Sequence, residues 1–315
     1  MYSYEGLEKK LAKRGITKTD LSRELGISSR TIAKLRKGEK LSLHTLEKIA
    51  AYLGCEPDDL FREVSANPVL QCLRDEKDAG VSGGLYHELQ IRMTYNSNHM
   101  EGSRLSEDQT RMIFETSQID ATDGIPVDDI LETIHHFRAI DYVIDHAEEP
   151  LSEDIIKTLH YILKHDTTDE KLAWFAVGEY KKRPNMIGGR ETTMPQEVSS
   201  AMQNLLKEYN KKSDVTIEDI IGFHSDFERI HPFQDGNGRV GRLIALKECL
   251  RFSIVPFIIE DAKKNYYYRG LSEWDSEPGY LIGTCLDGQY TFRRLLAALT
   301  LTHNPAQVRS AGRIS

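Results

Sequence analysis

The sequence predicts an all-α, mainly helical protein of two domains, and three observations carry that expectation. At 315 residues the chain is too long for one small domain and long enough for two cores. Apolar residues recur through most of it at helical spacing rather than in strand-like alternation. The charge also divides. Residues 1–54 hold 12 Lys+Arg and 6 Asp+Glu, whereas the remainder holds 29 and 43. A basic module joined to an acidic body accounts for that asymmetry, so the overall net charge of −8 describes neither part and does not exclude a nucleic-acid partner for the first.

Composition narrows the class further. Hydrophobic residues make up 39% and charged residues 29%, the balance of a folded globular chain rather than a disordered one. The longest apolar runs, such as residues 254–259, fall far short of the roughly 20 residues of a membrane helix. The opening Met-Tyr-Ser-Tyr-Glu has no apolar signal core, so neither secretion nor a membrane partner is expected. Cys55, Cys72, Cys249 and Cys285 are scattered with no CxxC pair. That argues against a zinc site and for free thiols in a reducing, cytoplasmic setting.

Residues 1–63 read as the first domain, a chain of short helices. Leu7 and Leu11 start the pattern before Gly15, and residues 17–25 continue it. Gly26 and Ile27 make a tight break, Ser28 or Ser29 caps a helix over residues 30–37, and Gly38 ends it. Residues 42–53 supply a further helix before Gly54. Leu21, Leu25, Ile27, Ile32, Leu35, Leu46, Ile49 and Leu53 fall at core positions. Two helices joined through a glycine turn are the helix-turn-helix signature. Leu21 to Leu25, Gly26-Ile-Ser, Thr31-Ile32, Lys34-Leu35, Lys37-Gly38-Glu39 and Ile49 to Gly54 together resemble the Cro/repressor-like DNA-binding family over residues 5–62. The resemblance implies a recognition helix at residues 28–37, with Ser29, Arg30 and Lys34 meeting bases or phosphates and Lys37 the DNA backbone. One departure stands out: where the family often carries Gln near the start of its second helix, this chain has Lys18, Thr19 and Asp20.

Residues 64–84 weaken into Ser-Ala-Asn-Pro and Asp-Ala-Gly-Val-Ser-Gly-Gly, and read as a linker. Residues 85–303 form the second domain and residues 304–315 a tail.

The stretch His231-Pro-Phe-Gln-Asp-Gly-Asn-Gly-Arg-Val-Gly-Arg242 carries the chemistry. It lies between two helical patterns, residues 217–230 and 243–250. Residues 236–241 also match GxGxxG, but the dinucleotide fingerprint needs a strand before the first glycine and a βαβ unit around it. Here a helix precedes. A phosphate site fits better. Gly236 and Gly238 let the backbone turn its amides toward one point, and the helix that follows presents free N–H groups and a positive dipole end. Arg239 and Arg242 are three apart, so both guanidinium groups reach polyphosphate oxygens from one face. Asp235 is a hard oxygen ligand suited to Mg²⁺. His231, with an ordinary pKa of about 6.5, suits proton transfer from a hydroxyl.

This string is similar, without departure, to the active-site motif of Fic (Fido-domain) proteins. The resemblance covers roughly residues 85–299, with the Fido core at about 151–295. It implies a mostly helical fold and transfer of AMP from ATP, with Mg²⁺ or Mn²⁺, to a Ser, Thr or Tyr hydroxyl of a target protein, the enzyme itself included. By that resemblance His231 is the general base and Asp235 holds the metal. Gly236, Asn237 and Gly238 form the anion hole, Arg239 and Arg242 bind phosphates, and Val240 and Gly241 complete the nucleotide-binding turn. Phe233 is a buried anchor. Residues 178–195 break the helical pattern, and Ile187-Gly-Gly with Thr192-Thr193 suggests a short β-hairpin. It resembles the Fic flap, which aligns a target segment by strand pairing, and Tyr180, Asn185, Met186 and Ile187 take that role. Tyr267 and Tyr268 stand where Fic proteins line the adenine pocket, core packing being the alternative.

Ser97-Asn-His-Met-Glu101-Gly102 resembles the Fic inhibitory motif. In a helix Ser97 and Glu101 project from one face, and Gly102 suits the end. The resemblance implies that Glu101 pairs with Arg242 and blocks placement of the γ-phosphate. Two rival readings remain: removal of AMP with Glu101 positioning water, and a DNA-binding regulator whose second domain senses nucleotide. His135-His136, His165-Asp166 and His224 lack consistent metal-ligand spacing and read as packing residues. A homo-oligomer is compatible with all of this.

Overall fold

A computed structural model describes residues 2–36, 39–63, 67–120 and 124–303. Among them are fourteen α-helices and two antiparallel two-stranded sheets, which is the expected mainly helical class. The chain divides after Pro68 into two compact units.

In the first unit β1 (Tyr2–Ser3) is followed by α1 (Glu5–Arg14), α2 (Lys18–Leu25), α3 (Ser29–Arg36), α4 (Leu43–Leu53) and β2 (Arg62–Glu63). Seven of the eight expected core positions are buried, and Leu25 is partly so. The residues that depart from the helix-turn-helix pattern have a local job. Thr17 and Asp20 form a reciprocal capping box at the start of α2, satisfying two amides that the helix itself leaves free. Ser28 caps α3 in one direction, its Oγ accepting from Thr31 N at 3.1 Å. The β1–β2 pairing, Tyr2 opposite Glu63, was not expected. Two residues a side give no alternation to read. Lys37, Gly38 and the tail at 304–315 lie outside the described residues.

The second unit runs through α5 (Pro68–Ala79), α6 (Leu85–Met100), α7 (Glu107–Thr116), α8 (Val127–Asp145) and α9 (Glu153–Lys164). The hairpin β3 (Met186–Ile187) and β4 (Arg190–Glu191) follows. Then come α10 (Pro195–Asn210), α11 (Ile217–Ile230), α12 (Asn237–Arg251), α13 (Lys264–Ser272) and α14 (Gly279–His303). Here the linker reading of residues 64–84 is corrected. Residues 68–79 are helical, and Leu70 and Leu73 are buried in the same core as Leu85, Ile140 and Leu243. Leu70 and Leu73 are the two fully buried residues of α5, with Val69 and Cys72 partly buried against the same core, and the charged residues that follow hid so short a stripe from a sequence reading.

At the centre lies α12, packed by α6, α8, α9 and α11. Every residue from Asn237 to Leu250 except Gly238 is buried. A helix enclosed on all sides shows no apolar stripe, and its first turn is delivered to the middle of the unit with polar side chains on it. That placement makes the site.

Candidate active site

α11 stops at Ile230, and His231 turns the chain with φ 52° and ψ 62°, a left-handed conformation that costs a non-glycine residue energy. The packing beyond it holds the turn in place. Phe233 is fully buried and stacked parallel on His160 at 4.0 Å. Asn237 returns two hydrogen bonds to Phe233, its Oδ1 accepting from the amide at 2.8 Å and its Nδ2 donating to the carbonyl at 2.9 Å. The Asn237 side-chain amide is therefore engaged in closing the loop. Gly236 caps α12, leaving the first-turn amides free for an anion.

A carboxylate already lies at this helix end. A Cβ on Gly238 would collide with Glu101 Oε1 and approach Arg242 Nη1, so glycine is what admits Glu101 to the first turn of α12. Arg242 is buried. Its Nη2 donates to Glu101 Oε1 at 2.6 Å and to Ser97 O at 3.0 Å, and its Nε donates to Ser97 Oγ at 3.0 Å. Burial disfavours the charged guanidinium, but Glu101 overcomes this and raises its pKa. Gly102 follows with φ 100°, ending the helix that carries Ser97 and Glu101.

Next to it is an ion-pair network that the sequence did not reveal. Arg239 is buried and bonds Glu132, and its Nη2 donates to Asp235 Oδ2 at 3.2 Å. The Asp235 side chain is half-exposed, at 52%. What burial it has raises its pKa, and Arg239 and Lys164 overturn that to hold the carboxyl well below the usual range. Asp235 is thus ionised and accessible, the state a hard divalent cation requires.

Burial, and secondarily the Lys181 ammonium, push the His231 imidazole down to about 4. It is neutral at pH 7, as a base must be. Lys181 is itself buried, and burial pushes it down to about 8. Its Nζ donates to Asn185 Oδ1 at 2.7 Å and Thr192 Oγ1 at 2.6 Å, while its amide donates to Pro232 O at 2.8 Å. It links the hairpin to the loop that follows His231.

Several expected residues sit elsewhere. Tyr180 packs near Phe233 with ring centroids 5.8 Å apart, and so belongs to the base of the hairpin rather than its edge. Asn185 donates to Phe233 O at 3.0 Å and anchors the loop. Met186 and Ile187 are exposed, at 63% and 42%, on a strand whose Gly188–Gly189 turn has positive φ at both residues, the glycine-favouring hairpin turn. Tyr267 is buried, bonded through its hydroxyl to His224 Nε2 at 2.6 Å and lying beneath Arg242. That corrects its adenine role, because its faces are covered. Tyr268 is part-exposed and donates to Met100 O at 3.1 Å. Val240 is in the core and Gly241 packs against Glu228 and His224, so neither lines the nucleotide turn. His136 and His224 are buried, whereas one ring nitrogen each of His135 and His165 and a carboxylate oxygen of Asp166 lie within 4.8 Å of one another, a grouping that their spacing in the sequence did not suggest. In the first unit Ser29 and Arg30 are exposed and Lys34, one turn on from Arg30, is half-exposed.

Two family models match the chain: "Fic/DOC family" over residues 150–249 and "Cro/C1-type HTH DNA-binding domain" over residues 6–64. It is 28% identical to the protein adenylyltransferase Fic of Drosophila yakuba over 200 residues, 61% of this chain and 39% of that one. The namesake from Aedes aegypti is 28% identical over 188 residues, 58% and 36% of the two chains. The chain thus spans about two fifths of the length of these curated relatives. Among solved structures it is similar to a Fic domain containing signaling protein from Bacteroides thetaiotaomicron, with TM-score 0.57, 27% identity, and coverage of 76% of this chain and 97% of that one. Fic-1 from C. elegans shares the fold at 18% identity, with TM-score 0.58 and coverage of 95% and 100%.

Proposed function

We propose that this chain, which carries a Fic/DOC domain behind a Cro/C1-type helix-turn-helix domain, is an autoinhibited protein adenylyltransferase. It would move AMP from ATP to a Ser, Thr or Tyr hydroxyl of a target protein. One observation carries the reading: a carboxylate, Glu101, bonds Arg242 at 2.6 Å against Gly238 in the first turn of α12. A site that accepts one anion through an arginine and helix amides is built for anions, and Glu101 occupies it in place of a phosphate.

In the reaction the acceptor oxygen attacks the α-phosphorus and passes its proton to the His231 imidazole. The bond from the α-phosphorus to the bridging oxygen breaks, and pyrophosphate leaves with the electron pair. Arg239, Arg242 and the amides of Gly236 to Gly238 hold phosphate oxygens, and Met186 and Ile187 offer the strand edge that aligns the acceptor. Asp235 would hold the divalent cation, which neutralises charge on the departing phosphates. Most of the barrier reduction comes from positioning and preorganised charge.

Incubation with α-labelled ATP tests this directly. Glu101→Gly is expected to raise auto-labelling at least about tenfold, since removing a competing charge contact restores a site worth that much. An unchanged or lower rate sinks the autoinhibited reading. His231→Ala in the same background is expected to abolish labelling while nucleotide still binds. Free thiols at all four cysteines and dependence on ATP favour a cytoplasmic setting, and no described helix is long and apolar enough to cross a membrane.

A further inference from the structure

Lys164, the last residue of α9, is 2% exposed, and its ammonium lies among three carboxylates. Glu132 and Asp169 are each at 2.6 Å and Asp235 at 2.8 Å. The ammonium donates to Glu132 Oε1 and Asp235 Oδ2 and pairs with Asp169 through charge, so its three N–H donors face three carboxylates. The three acidic side chains come from α8, from the loop after α9 and from the catalytic loop, and their oxygens all lie within 4.8 Å of one another. Oxygens gathered that closely are what a divalent cation would take. Here a side chain fills the centre. Lys164 and Arg239 both use the same oxygen of Asp235, Oδ2, so neither cationic side chain engages Oδ1. Three negative charges face two positive ones, so the cluster keeps one net negative charge with Lys164 present and two without it.

We propose that Lys164 is a positioning residue that stands in for a divalent cation. It satisfies the carboxylate triad from within, turns Asp235 so that only Oδ1 serves a metal, and makes metal occupancy depend on the nucleotide. The proposal rests on Asp235 being the metal ligand and adds the control of its access. A cation arriving alone meets a triad whose charge Lys164 and Arg239 already largely offset, whereas one arriving with nucleotide phosphates brings most of its own ligands and needs Asp235 Oδ1 alone.

The test is Mn²⁺ binding to the full chain without nucleotide, read by the electron paramagnetic resonance signal of free Mn²⁺ and by melting temperature. Wild type is expected to show weak binding and no shift in melting. Lys164→Met is expected to bind one Mn²⁺ at least about tenfold more tightly, because a buried cation has been removed from a net-negative cluster, and to melt higher with Mn²⁺ than with chelator. Lys164→Arg keeps the charge and is expected to behave as wild type. Adding Asp169→Asn to Lys164→Met is expected to reverse the gain. If Lys164→Met folds only when Mn²⁺ is present, that also supports the proposal; if it stays unfolded with Mn²⁺, or matches the wild-type affinity, the proposal is overturned. Binding of Mn²⁺ with ATP to wild type and to Asp235→Asn is a separate measurement. Equal binding there removes Asp235 as ligand, whatever the nucleotide-free result.

Discussion

His231 shows how one residue's chemistry is set by neighbours that a local motif does not contain. An exposed imidazole titrates near 6.5, but burial and the Lys181 ammonium push this one down to about 4, while Asp235 and Glu101 pull the other way. Protonation, which disables the base, therefore starts well below neutral pH. In the Glu101→Gly background, auto-labelling is expected to be flat from about pH 6 to 8 and to decline only toward pH 4. Lys181→Met removes the neighbouring charge, so the acidic limb is expected to move up toward the ordinary histidine value. A pH–rate profile identical in both variants would refute the role assigned to Lys181. The sign for stability agrees. A histidine depressed in the fold lets the unfolded chain bind protons first, so its contribution is intact above about 6.5 and is lost as pH falls through that value toward 4.

At the scale of elements, the loop from His231 to Arg242 was legible and its supports were not. Every residue from His231 to Arg242 lies within twelve positions, and loop-then-helix is a local pattern. By contrast α12 has no amphipathic stripe, because its whole circumference is buried. The helix α5 was hidden for the opposite reason, two buried leucines among charges. That difference is measurable. Leu73 is fully buried, so Leu73→Ala is expected to cost about 2–5 kcal/mol in chemical denaturation. A residue in a linker would cost next to nothing. Asp20 teaches a related lesson, since its departure from the family pattern is explained by the capping box it completes with Thr17.

For the molecule as a whole, the sequence division of charge coincides with a division into two compact units after Pro68. Exposed Arg30 and half-exposed Lys34 share one face of α3 in the basic unit. If that face meets DNA, replacing both with Ala in the full chain is expected to weaken binding and to lower the slope of log affinity against log salt by about 2. Labelling by the acidic unit should be unchanged. A salt slope equal to that of wild type would remove these two residues from any DNA interface. Read alone, the sequence determined the helical class and the pairing of Arg242 with Glu101, and it singled out His231, Asp235 and Arg239 as candidates for base, metal carboxylate and phosphate arginine, because each rests on short-range spacing or a motif. Only the tertiary structure decided what surrounds them. Lys164 reaches Asp235 across 71 residues and Arg242 reaches Ser97 across 145, and Tyr267 turned out to be enclosed under that arginine. Spacing along a chain reports which side chains share a helix face. Burial and the meeting of charges depend on how helices pack, and packing brings together residues that no local period connects.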